Sequence, residues 1–261
     1  MSKKKGILLA GGMGTRFRPI TYSVNKHFLP IYEKPMFFYP LSILMMAGIK
    51  EIQIISDSKS LIEFKNILSK IKTDVKFSFQ AQDKPKGIAD GIIKSKNFIG
   101  KSDFILILGD NFFYGQSLSN QIQQLIKKKN CIVTVQSKKP QDFGVVKFKN
   151  KKIVDIIEKP KKFISNTIVT GLYVYENQCV NLAEKLKPSK RGELEISDLN
   201  SYLIKKNKLK SLNLGRGSVW LDTGTPEDLL KASEFVKLIE DRSGFEIANL
   251  SEINDKFIKK R

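Results

Sequence analysis

The chain has 261 residues, 46 Lys plus Arg against 26 Asp plus Glu, and a formal net charge of +20. That length can bury a full core without disulfides or a structural metal, and 41% apolar with 28% charged residues excludes wholesale disorder. Cys131 and Cys179 stand 48 positions apart, which excludes a disulfide framework and a zinc ribbon; His27 is the one histidine, which excludes a His-cluster metal site.

Along the chain, Gly6–Ala10 is a short apolar run stopped by glycines, the pattern of a buried parallel strand. The run is too short for the core of an export signal. Met36–Ile49, the longest apolar stretch, covers 14 positions, short of the roughly 20 that a membrane helix needs. It predicts a buried helix with Pro40 in its first turn and a stop at Gly48. No membrane partner is expected, and the cytoplasm is the expected location. Glu51–Ser56 reads as a strand, Lys59–Ile71 as a helix, Lys76–Ala81 as a strand, Gly87–Asn97 as a helix and Asp103–Leu108 as a third buried strand. This alternation predicts an α/β fold, a mostly parallel open sheet with helices on both faces. Further on, Val145–Phe148 and Ile153–Glu158 form a hairpin pattern, Thr167–Tyr175 a strand, and Leu194–Lys205 and Pro226–Ile239 helices. Thr225 with Asp228 makes a capping box for the last of these. No repeat, linker or composition break interrupts the chain, so one domain over 1–261 is expected.

Forty of the 46 basic residues are Lys and six are Arg, with clusters at Lys3–Lys5, Lys127–Lys129, Lys149–Lys152 and Lys161–Lys162. Arg is the residue suited to bidentate contacts with phosphate and guanine, so this composition speaks against a nucleic-acid partner. It describes a Lys-rich solvated surface that favours encounter with small polyanions.

The segment Leu9-Ala10-Gly11-Gly12-Met13-Gly14-Thr15-Arg16 follows the first strand. It is neither a Walker A loop nor a full dinucleotide fingerprint, since Phe17 stands where a third glycine is needed. Its glycines still let backbone N–H groups converge on a phosphate, and Arg16 and Lys26 add positive charge. Asp110 and Asp222 are candidate metal ligands; taken alone, each is also an ordinary turn or helix-entry residue.

GILLAGGMGTRFRPIT and NKHFLPIYEKPMFFYPLSILMMAGI are joined in order by LGDNFFYG, FGVV, EKP, VTGLY, RGELEISD and WLDTGT. Together they resemble the sugar-1-phosphate nucleotidyltransferases, colinearly from Gly6 to about Ile239, and most closely the branch that joins dTTP to glucose 1-phosphate. The resemblance implies a three-layer αβα, Rossmann-like fold with a nucleotide-binding half (about 1–115), a sugar-phosphate half (about 116–240) and a tail (241–261). It implies Mg²⁺ on Asp110 and Asp222, with Arg16 and Lys26 joining them in catalysis. The nucleotide would be met by Leu9, Gly11, Gly12, Gly14, Thr15, Arg16, Lys26, His27, Gln82 and Gly87. The sugar phosphate would be met by Asn111, Gly144, Glu158, Lys159, Val169 and Arg191. A Gln amide can satisfy the imide edge of thymine or uracil by donating and accepting at once. The reaction implied is in-line attack of a sugar-phosphate oxygen on the α-phosphorus, with pyrophosphate leaving. That oxygen is already ionised, so a chain with one histidine lacks nothing the chemistry requires. His27, Asp83 and Lys86 depart from the family pattern, and the chain stops short of longer members whose extra residues help build a regulatory nucleotide site. A homo-oligomer is expected, a dimer before a tetramer.

Overall fold

The computed structural model describes residues 4–259. Lys3 of the first basic cluster, and Lys260 and Arg261 at the end of the tail, lie outside the described residues. Strand β1 (Lys5–Leu9) runs into the glycine loop, three 3-10 turns (Thr15–Phe17, Ile20–Tyr22, Lys26–Phe28) and a small ribbon, β2 (Pro30–Ile31) and β3 (Lys34–Pro35). Helix α1 (Phe38–Met46) follows, then β4 (Glu51–Ser56), α2 (Ser58–Leu68), β5 (Lys76–Ala81), α3 (Ile88–Lys94), α4 (Lys96–Ile99) and β6 (Phe104–Leu108). Next come β7 (Asn111–Gly115), α5 (Leu118–Leu125), β8 (Cys131–Gln136), β9 (Gly144–Lys149), β10 (Lys152–Glu158) and β11 (Thr167–Tyr175). The chain then forms α6 (Cys179–Ala183), α7 (Ile196–Lys205), β12 (Lys210–Asn213), β13 (Ser218–Asp222), α8 (Pro226–Ser243) and α9 (Leu250–Ile253), and a π-helical turn covers Asn254–Lys259.

One mixed sheet carries the fold. Its parallel core is β6-β1-β4-β5, in register at Leu8 with Ile54 on one side and Ile107 on the other. Both faces of β1 are covered. Leu8 packs with Leu41 and Leu44 of α1 and Phe64 of α2, while Ile7 and Leu9 pack with Ile92 of α3 and Leu199 and Leu203 of α7. A strand buried on both faces cannot alternate with polar residues, which is why KGILL is continuous rather than period-two. The long strand β11 then reverses direction: it lies antiparallel to β6, β8 and β9 and joins the second half of the chain to the first in one sheet. The β9–β10 hairpin turns through Asn150 and Lys151, both at positive φ (49° and 63°) as a tight two-residue hairpin turn demands.

Helix α2 stops at Leu68 rather than Ile71, and three other expected helices have different bounds, each for a local reason. Gly87–Asn97 divides at Ser95, whose hydroxyl donates to the Gly91 carbonyl (2.9 Å) and whose N–H is shared between Gly91 and Ile92. Helix α7 begins at Ile196 rather than Leu194 because both backbone groups of Leu194 are spent elsewhere: its N–H donates to the Lys86 carbonyl and its carbonyl accepts from Ala89 N–H. Helix α8 runs past Ile239 to Ser243 and stops at Gly244, left-handed at φ 70°, whose N–H donates to Glu240.

The tail is part of the core. Leu250, Ile253 and Ile258 pack into the cluster that holds α1, and the buried Asn254 clamps the loop before β5. Its Oδ1 accepts from Asp74 N–H (2.8 Å) and Thr73 Oγ1 (3.0 Å), and its Nδ2 donates to Asp74 (3.1 Å). Asn254→Ala is expected to lower unfolding stability by about 1–3 kcal/mol, the range for leaving buried partners unpaired. Urea unfolding followed by circular dichroism measures it; a midpoint equal to the parent's would contradict the clamp.

Candidate active site

A cavity of about 1280 Å³ opens where β1, β5 and β6 end. Of the residues proposed from the sequence, Leu9, Gly11, Gly12, Arg16, His27, Gln82, Gly87, Asp110, Asn111, Gly144, Glu158, Lys159, Val169 and Arg191 line it. Gly14, Thr15 and Lys26 are not among the lining residues; Asp222 is.

The glycine loop turns through Gly12 (φ 106°) and Gly14 (φ 56°), and the Gly14 carbonyl is fastened by Thr21 Oγ1 at 2.7 Å. Arg16 leaves the following 3-10 turn, anchored by the buried Phe17. Its guanidinium and the Asp222 carboxylate both border Gly224: a Cβ there would lie 3.4 Å from Arg16 Nη1 and 3.0 Å from Asp222 Oδ1.

Asp110 follows β6, and Asp222 ends β13, which pairs antiparallel with β7 so that Asp222 lies opposite Asn111. Thr223 ties the two aspartates' segments together by donating twice to the Asp110 carbonyl, from N–H at 2.9 Å and Oγ1 at 2.7 Å. Lys26 Nζ meets Asp110 Oδ2 at 2.5 Å. Burial opposes ionisation of Asp110, yet the Lys26 ammonium, with His27 and the Asn111 amide, holds its carboxyl below the ordinary range. Asp222 moves the other way, pushed up first by burial and then by the charge of Asp110, against Lys26 and Arg16. Two carboxylates that repel across poorly solvated space favour a further cation between them. Among the described residues no third His, Cys, Asp or Glu joins them. A pair without a cage suits a divalent ion that completes its shell with substrate oxygens and water.

Asn111 is more than a lining residue. Its Oδ1 accepts from Gly171 N–H (2.8 Å) and Trp220 Nε1 (2.7 Å), and its Nδ2 donates to Asp110 Oδ1 (3.1 Å). Trp220, absent from the sequence-derived site, therefore orients the amide that orients Asp110. Asn25 was missed as well. Its Nδ2 faces Ser56, Asp57 and Ser60, which turns Oδ1 toward His27, where it accepts from the backbone N–H (3.0 Å) and lies 2.7 Å from Nδ1. The available sequence signal was an Asn immediately before Lys26, the N-cap position of a short turn. His27 is buried against Gly109, where a Cβ would come within 2.6 Å of the ring. Burial and then the Lys26 charge lower its pKa to about 3, so it stays neutral at physiological pH.

Gln82 is buried, with its amide oxygen beside Gly11. Asp83 accepts from Ser58 N–H (2.7 Å) and Oγ (2.9 Å), pinning the loop after β5 to the start of α2. Gly87 stands at φ 97° so close to Leu194 that any Cβ would overlap the Leu194 carbonyl. Glu158 ends β10, and Lys159, the next residue, at φ 44°, is fixed by its N–H donating to the Phe143 carbonyl (3.0 Å). Arg191 lies at the rim with its guanidinium held by Glu195 at 3.0 and 3.1 Å and near Glu193.

The family model described as Nucleotidyl transferase matches residues 5–238. The chain belongs to this family. The nucleotidyl transferase fold is shared at high similarity with named relatives. A glucose-1-phosphate thymidylyltransferase of Neisseria meningitidis serogroup A is 45% identical over 95% of this chain and 88% of its own length. One from Xanthomonas campestris pv. campestris is 40% identical over 97% of this chain and 87% of its own. A Bacillus anthracis crystal structure, provisionally given the same name and solved with sucrose, superimposes with a TM-score of 0.80 at 34% identity, covering 89% of this chain and 94% of that one. No helix among the described residues of this nucleotidyl transferase is long and apolar enough to cross a membrane.

The buried histidine sets a pH dependence with a definite sign. The unfolded imidazole, near its ordinary 6.5, takes up a proton that the folded one refuses down to about 3. Stability is therefore expected to fall as pH drops through that window, because the unfolded state binds more protons. His27→Gln should flatten this part of the profile relative to the parent; parallel profiles from urea titrations between these pH values would contradict a buried neutral ring.

Proposed function

We propose that this nucleotidyltransferase transfers the thymidylyl group of dTTP to glucose 1-phosphate, giving dTDP-glucose and pyrophosphate. The observation that carries the reading is one cavity lined together by Gly11, Gly12 and Arg16 of the glycine loop, by Gln82, by Asp110 and Asp222, and by Glu158, Lys159 and Arg191. The names of the relatives support the choice of substrates.

In this reading the amides of Gly11 and Gly12, with Leu9, Gly14 and Thr15 shaping the loop, cradle the triphosphate beside Arg16. Lys26 steadies the charge of Asp110, and Lys159 and Arg191 hold the sugar phosphate. Glu158 accepts from sugar hydroxyls, and Gly144, Val169 and Asn111 border the sugar. The attacking oxygen of the 1-phosphate displaces pyrophosphate at the α-phosphorus, so the side chains align and neutralise two anions rather than move a proton. Asp110 and Asp222 would hold Mg²⁺, which supplies Lewis-acid neutralisation of the transferred phosphoryl oxygens. His27, neutral and packed on Gly109, supports the loop that carries Lys26. A uridylyl transferase is the second reading, because the imide edge that Gln82 would meet is common to thymine and uracil.

Asp110→Asn and Asp222→Asn are each expected to cost orders of magnitude in turnover with the fold retained, and EDTA to abolish the parent's activity. Pyrophosphate release and circular dichroism on each variant test this; near-parental turnover with unchanged metal dependence would sink the ligand assignment.

Base choice separates the two readings. A methyl group in a close-fitting pocket is worth about 1–3 kcal/mol, so dTTP is expected to exceed UTP by about one to two orders of magnitude in kcat/KM. CTP, ATP and GTP should fall well below both, and Gln82→Leu should narrow that gap for CTP. Steady-state rates with glucose 1-phosphate and each triphosphate measure it. A purine or CTP preference would overturn the assigned role of Gln82.

A further inference from the structure

Gln82 lines the cavity, and behind it, outside the lining, stands Asp90 in the first turn of α3. Both are buried, at 4% and 9% exposure, and Gln82 Nε2 donates to Asp90 Oδ2 at 2.7 Å. The backbone that carries each is fixed. The Gln82 backbone N–H is bonded to Ser56 at 2.8 Å, and the turn that carries Asp90 is tied down by Ala89 N–H on the Leu194 carbonyl.

An amide turned over about its last torsion exchanges a donor for an acceptor and keeps its shape, so an unsupported Gln can face a base either way round. A carboxylate has no such ambiguity, because when ionised it only accepts. Opposite Asp90, the Gln82 amide must present its nitrogen. Its Oε1 is thereby directed to the other end, 3.1 Å from where a Cβ on Gly11 would stand, at the cavity wall. We propose that Asp90 is a specificity-determining positioning residue: it locks the Gln82 acceptor oxygen toward the nucleobase, so that the site takes pyrimidines carrying a ring N–H and refuses cytosine. Thymine and uracil offer N3–H to that oxygen, whereas the N3 of cytosine brings a lone pair against it. The inference rests on Gln82 facing the base, as in the function proposed above, and adds the residue that decides which way its amide points.

The test compares dTTP with dCTP, which share a sugar, in the full-length parent, Asp90→Asn, Gln82→Leu and the double variant. The amide introduced by Asp90→Asn can offer its own NH₂ and let the Gln82 amide turn round. The ratio of kcat/KM for dTTP over dCTP is therefore expected to fall about tenfold or more, with KM carrying most of the change. In the Gln82→Leu background, adding Asp90→Asn should leave the ratio where it is. Asp90→Ser, which also removes the carboxylate, is expected to relax the ratio in the same direction and stands in where Asp90→Asn fails to fold. An unchanged ratio in a folded variant, an equal loss for both nucleotides, or an effect that persists without Gln82 would overturn the proposal. Calorimetric binding of the two nucleotides needs no sugar phosphate. A parent that binds dTTP over dCTP yet makes no dTDP-glucose would refute the function and leave the Asp90 lock to be judged on binding. A parent with no preference between them would refute the lock.

Discussion

Two half-buried carboxylates repel one another at the wall of the cavity, and the surrounding structure holds them there. Asp110 is set by β6, and Asp222 arrives from a remote part of the chain on β13, fixed by its register with β7 and by the two bonds from Thr223 to the Asp110 carbonyl. Lys26 compensates Asp110 directly. Asn111, steadied by Trp220 and Gly171, fixes the direction of the same carboxylate. The cost of burying like charges is met by this frame rather than by any single contact.

Two stretches of the chain that border the cavity are joined at Leu194. Lys86, Gly87 and Ala89 are bonded to or packed against Leu194, three residues from Arg191. Rigidity is what alignment of two mutually repelling anions requires, because little of the catalytic advantage survives a loose site. The charge of the molecule acts on a longer scale. Most of its lysines lie away from the cavity and raise the local concentration of anionic substrates without contacting them.

The parallel core was legible because its strands are apolar on both faces and stop at glycine or aspartate: Gly6–Ala10, Glu51–Ser56 and Asp103–Leu108 each match a strand to within a residue or so. Segments shaped by distant partners were not legible. Nothing within Leu194–Ile196 says that Leu194 will bond to Lys86 and Ala89 and delay the helix, and nothing local to the tail says that Ile258 will pack near α1.

Sequence alone supplied the glycine loop with its Arg16, because backbone freedom and charge are properties of residue type; the choice of Asp110 and Asp222 and the transfer chemistry came with the family resemblance, since either aspartate by itself reads equally as a turn or helix-entry residue. Tertiary structure decided that Lys26 is spent on Asp110, that Arg191 is held by Glu195, and that His27 is neutral and packed rather than open to solvent. It also decided which way the Gln82 amide turns. Orientation, pairing and protonation depend on which groups desolvate one another across the fold, and residues far apart in the chain carry no mark of that encounter.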